Sequence, residues 1–151
     1  MTDEASAPSR RASGPTTRTK ARREAVDLLF ESEQRAVNVI ELLEQRMAEP
    51  VREVPPRAYA AQLVRGVAAN WHSINEALTT YAKGWSLERM PSVDRAVLRL
   101  GAYEVIYEDD VPDGAAISEA VALARDLSTD ESPTFINGLL SRLSEVKTTL
   151  V

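Results

Sequence analysis

The chain has 151 residues, no cysteine and a net charge of −5. That length suits one domain able to bury roughly 68–70% of its unfolded surface, and the missing cysteines exclude disulfides, a thiolate nucleophile and a cysteine zinc site. No apolar run approaches the roughly 20 residues that span a bilayer, and Met1–Thr17 lacks the apolar stretch of a signal peptide, so the chain reads as a soluble cytoplasmic protein with no membrane partner.

The overall charge argues against a nucleic-acid ligand, but it conceals an asymmetry. Met1–Arg23 carry six basic residues (Arg10, Arg11, Arg18, Lys20, Arg22, Arg23) and two acids, a net of +4, whereas the other 128 residues hold 12 basic and 21 acidic ones, a net of −9. A basic arm on an acidic body is the pattern of an interaction segment. Residues 1–17, rich in Ser, Ala, Thr, Pro and Arg, have no large apolar side chain after Met1 and are expected to be a disordered tail. Residues 18–148 are expected to form a single all-helical domain.

From about Arg18, the residues Ala21, Ala25, Leu28 and Leu29 recur at helical spacing and predict a helix to Glu33 or Arg35. Arg18 and Arg22 stand four apart, Lys20 and Arg23 three apart, on adjacent parts of its first turns. Cations at a helix N-terminus oppose the macrodipole, so this placement points to a polyanionic ligand, RNA or DNA. A second amphipathic helix is predicted over Val37–Ala48, then a proline-rich loop over Glu49–Pro56. The longest predicted helix is Arg57–Lys83, with Tyr59, Leu63, Val67, Trp71, Ile74, Leu78 and Tyr81 as its core stripe. His72 lies off that stripe, without a second His or a Cys to form a site. Ser86 is expected to cap a short turn, Leu87–Met90.

Between Ser92 and Glu108 apolar or small residues fall on nearly every side of the helical wheel, which predicts a buried central helix. Ser92 is its expected N-cap, and Gly101 is tolerable within it if a neighbouring helix approaches closely. Asp94, Arg95, Arg99 and Glu104 form one polar edge, expected to reach water or a partner. The acidic connection Glu108–Gly114 fails as a calcium loop, because Val111 and Ala120 stand where oxygen ligands are needed; it reads as a solvated turn. A sixth helix begins between Asp113 and Ile117 and runs to Leu127, and a last one follows Ser132 as cap and Pro133 as first residue. Asn137-Gly138 within it is read as helix, because the apolar period continues on both sides.

The fold class is therefore all-α, about seven helices, the first three in one bundle and the last four in another. Phosphate-loop, dinucleotide and zinc-helix motifs are absent, no cofactor is implied, and a binding protein is favoured over an enzyme. The stretches RTKARREAVDLLFE (18–31), LVRGV (63–67), VDRAVLRLGAYEV (93–105), AISEAVALA (116–124) and FINGLL (135–140), in this order, resemble the NusB family of transcription antitermination factors. The resemblance implies a fold of two helical bundles. It also implies binding to the boxA segment of nascent ribosomal RNA as single-stranded RNA, jointly with a small-subunit ribosomal protein, NusE, in the transcribing RNA polymerase complex, by a monomer or homodimer. Carried over by position, Arg18, Lys20, Arg22 and Arg23 match the family's RNA-binding arginine-rich motif, while Phe30 and Asp94 match the Tyr and Glu beside the ribosomal-protein surface. Thr19 departs from the pattern where a basic residue is common, and Phe30 lacks the tyrosine hydroxyl. The competing class is a helical protein-interaction adaptor that never touches RNA.

Overall fold

The computed structural model describes residues 16–48 and 54–150; the expected tail before Thr16 and most of the proline-rich loop lie outside them. The described residues form seven α-helices: α1 Thr17–Arg35, α2 Val39–Ala48, α3 Ala58–Ala69, α4 Trp71–Tyr81, α5 Ser92–Tyr107, α6 Asp113–Leu127 and α7 Ser132–Val146. Single 3-10 turns cover Leu87–Arg89 and Lys147–Thr149, and there is no strand among the described residues.

Helix α5 is the pillar its sequence predicts. It packs against α1, α3 and α4 on one side of the molecule's order and α6 and α7 on the other, and one continuous apolar core surrounds it. Leu98 and Leu100 are fully buried, with Tyr103 close behind. Two glycines set the helix spacing. A Cβ on Gly101 would stand 2.7 Å from Leu140 Cδ1 of α7 and 3.4 Å from Ala120 Cβ of α6, the close approach expected of that position. Gly66 of α3 is tighter still, because a Cβ there would lie 2.2 Å from Tyr103 Cζ on α5.

The predicted helix over Arg57–Lys83 is in fact two. It breaks at Asn70, whose backbone leaves helical geometry (φ −116°, ψ 26°) and whose side-chain amide donates to the Gly66 carbonyl at 2.9 Å, beside the 3.2 Å bond from its own backbone N–H. Asn readily makes such local bonds, which compete with helix propagation. The break changes two expectations. Trp71, predicted in the core stripe, is 42% exposed, and α4 packs with α5 and α7, leaving α1, α2 and α3 as the first bundle.

Helix starts also differ from those predicted. Ser92 and Ser132 are each the first helical residue, with Pro91 and Glu131 before them as caps that offer no side-chain bond. Both serine hydroxyls serve other side chains: Ser92 Oγ accepts from Arg95 Nη2 one turn on, and Ser132 Oγ donates to Asp94 of α5. Helix α2 starts two residues later than predicted, at Val39, because Asn38 Oδ1 accepts from the Ile40 and Glu41 amides. Across Asn137-Gly138 the helix α7 is continuous, as expected.

Two substitutions test this packing. Leu98→Ala is expected to lose about 2–5 kcal/mol of unfolding free energy in denaturant titration, the sum of lost burial and a cavity. Gly66→Ala is expected to lose about 1–3 kcal/mol although alanine is the better helix former by about 1 kcal/mol, because the methyl displaces the Tyr103 ring. A stabilised Gly66→Ala protein would mean that α3 and α5 do not meet there.

Candidate nucleic-acid interface

Helix α1 opens at Thr17, where the Thr16 hydroxyl accepts the Thr19 amide at 3.0 Å. The four basic residues of its first turns then part company. Arg22, expected at the RNA surface, points inward and is 5% exposed. Its Nε donates to both oxygens of Glu104 at 2.9 and 3.0 Å, and Nη1 lies 3.5 Å from Glu119 on α6. Glu104, on the polar edge expected to face water, is fully buried on α5 and also accepts from the Tyr59 hydroxyl of α3. Burial disfavours the Arg22 charge, but the bonds and charges of Glu104 and Glu119 outweigh it and hold its pKa above the ordinary arginine value. Burial, then the bond to Glu104, pushes the Tyr59 phenol well above its usual range. Arg22 is therefore committed to the fold and is not available to a ligand.

The other three cations remain accessible. Lys20 and Arg23 are exposed and make no ion pair among the described residues. Arg18 is 45% exposed; its guanidinium carbon lies 4.3 Å from the centre of the Tyr59 ring, and its Nη2 donates to Asp110 at 3.3 Å. Thr19, the departure from the arginine-rich pattern, donates its hydroxyl to Glu119 at 3.3 Å. A basic residue at that position would also face Glu119. Beside Arg23, Glu24 accepts from the Arg57 backbone amide and guanidinium, which ties α1 to the start of α3.

At the other end of α1 the expected partner surface is only partly present. Phe30 is half-buried against the core. Asp94 is fully buried, so it is not on the surface: Ser132 Oγ donates to its Oδ2 at 2.8 Å, and the start of α7 covers it. Its Oδ1 has no hydrogen-bond partner among the described residues. The rest of the polar edge closes on α1. Arg95 donates to both Glu33 oxygens and to the Leu87 and Met90 carbonyls, while Arg99 donates to Asn75 and lies 4.3 Å from the Trp71 ring centre. Beside them, Leu29, Ala36, Val37, Ile40 and Trp71 line a groove between the end of α1, the start of α2 and the α3–α4 break. The sequence signalled this groove only through Trp71, which the uninterrupted-helix reading placed in the core.

Because Glu104 neutralises a buried cation, Glu104→Ala is expected to lose roughly 3–5 kcal/mol of stability, the cost of leaving Arg22 buried and unpaired. Replacing both members, Arg22→Met with Glu104→Leu, is expected to recover much of that loss in the same denaturant titration. A Glu104→Ala protein as stable as the parent would show that Arg22 is not held inside.

Comparison with known proteins places this architecture. The NusB family model matches residues 19–145. The transcription antitermination protein NusB of Beutenbergia cavernae is 54% identical over 134 residues, covering 83% of this chain and 88% of that protein. That of Pseudarthrobacter chlorophenolicus is 54% identical over 136 residues, covering 90% and 98%. Among solved structures, T. maritima NusB superposes with a TM-score of 0.75 at 32% identity, covering 87% of this chain and 93% of that one. A chain from the crystal structure of antitermination factors NusB and NusE in complex with double-stranded RNA gives 0.72 at 25% identity, covering 87% of this chain and 99% of that one. With the family's model matched over nearly all the described residues and its helical fold reproduced, the chain belongs to the NusB family.

Proposed function

We propose that the protein is a transcription antitermination factor. It binds the boxA segment of nascent ribosomal RNA as a single strand, together with the small-subunit ribosomal protein NusE, within the transcribing RNA polymerase complex in the cytoplasm. It is a binding protein and not an enzyme. The observation that carries this reading is the sorting of charge on the first turns of α1: Lys20 and Arg23 are left exposed beside a half-exposed Arg18, while Arg22 among them anchors the helix to the body. Such a surface binds phosphates and gives affinity that falls with salt. The family membership supports the assignment of RNA as the polyanion, and a relative of the same fold is seen with NusE and RNA together.

Phe30 is the residue of this chain offered to the ribosomal protein, as a ring half-buried at the margin of the α1 core contacts. Asp94 has no place in that contact, since its carboxylate is enclosed by Ser132.

Titrating single-stranded boxA RNA against salt tests the reading. Each phosphate contact on a single strand contributes roughly −0.7 to the slope of log K against log salt. Lys20→Ala with Arg23→Ala is therefore expected to weaken binding across RNA sequences and to flatten the slope by about 1.4. An unchanged slope would favour the adaptor that does not touch RNA.

A further inference from the structure

Arg18 stands apart from Lys20 and Arg23 because it is already occupied. Its guanidinium lies against the Tyr59 ring, and the ring is itself fixed, since its hydroxyl donates to the buried Glu104 carboxylate that Arg22 holds. With its guanidinium carbon 4.3 Å from the ring centre, Arg18 still has N–H donors to offer other acceptors. One of those donors meets Asp110, on the turn between α5 and α6, through a single bond of 3.3 Å. That carboxylate is 66% exposed, and Arg18 draws its pKa below the usual value, chiefly through this bond. The contact is long and exposed, with only one of the two possible parallel bonds made, so a ligand bearing several anionic oxygens displaces it readily.

We propose that Asp110 is an internal competitor for the RNA phosphate at Arg18, with Tyr59 as the positioning residue that keeps the guanidinium in place while Asp110 is exchanged for phosphate. The inference rests on the RNA-binding reading above and names a control on that same site. The acidic turn, which by sequence is merely a solvated connection, then sets the threshold at which a polyanion engages α1. Isolated anions gain little by replacing Asp110, whereas a strand already held by Lys20 and Arg23 presents its next phosphate at high local concentration.

The test is a double-mutant cycle read by RNA affinity at fixed salt with the full chain and single-stranded boxA RNA. Asp110→Asn removes the competitor and is expected to tighten binding about two- to fivefold, the range of an exposed ion pair. Asp109→Asn removes the same charge one residue away and is expected to give a clearly smaller gain. In an Arg18→Ala background the Asp110→Asn gain is expected to fall to the level of Asp109→Asn. The proposal is overturned if Asp110→Asn does not tighten binding, if both asparagine variants tighten it equally, or if the gain survives loss of Arg18. These outcomes are separable from failure of the underlying reading, in which Lys20→Ala with Arg23→Ala leaves the salt slope unchanged.

Discussion

The bond between Arg22 and Glu104 fixes what the rest of the molecule can present. A carboxylate buried in the central helix costs several kcal/mol unless it is paired and its lone pairs are used. Here both oxygens accept from Arg22, and one also accepts from Tyr59, so three helices meet on one group. The consequence for α1 is rotational. Successive residues turn by about 100°, so with Arg22 aimed at the core, Lys20 points about 160° away and Arg23 about 100° away. Arg18, one turn earlier, comes back to within about 40° of Arg22 and emerges at the rim, where Tyr59 and Asp110 meet it. One buried pair thus decides which cations face a ligand.

The acids of the body have a related use. Three acids of the body, Asp110, Glu119 and Glu104, face the cations and the Thr19 hydroxyl of the first turns of α1, and Glu24 of α1 itself pairs with Arg57. At its far end the polarity reverses, and Glu33 of α1 takes Arg95 and Arg99 from α5. The helix that bears the basic arm is consequently clamped at both ends and in the middle, which suits a surface whose phosphate contacts must keep a fixed spacing.

Much of this was legible in the residues. The nearly all-apolar wheel of 92–108 identified the central helix, and the periodicity through Asn137-Gly138 correctly overrode a turn signal. Arg22 was hidden by its neighbours, since one arginine in a basic run looks like another. A signal was nevertheless present: residues 22, 25, 26 and 29 share the i, i+3, i+4, i+7 stripe that buries Ala25, Val26 and Leu29, and a lone Glu104 on an otherwise apolar face calls for a buried cation. Asp94 is placed on the partner surface by positional resemblance to the family, whereas the structure buries it. Its partner, Ser132, lies 38 residues along the chain, a tertiary contact that local spacing does not reveal. The break at Asn70 has no Gly or Pro at the break itself, only a side chain able to imitate the backbone.

The central claim is that α1 is divided, with Arg22 structural and its basic neighbours functional. Arginine side-chain Nε–Hε resonances followed by NMR during titration with single-stranded boxA RNA test it directly. The account predicts that the Arg22 resonance is protected from solvent exchange in the free protein and stays in place as RNA is added, while those of Arg18 and Arg23 shift with saturation. A fast-exchanging Arg22 resonance that moves with the RNA would contradict it.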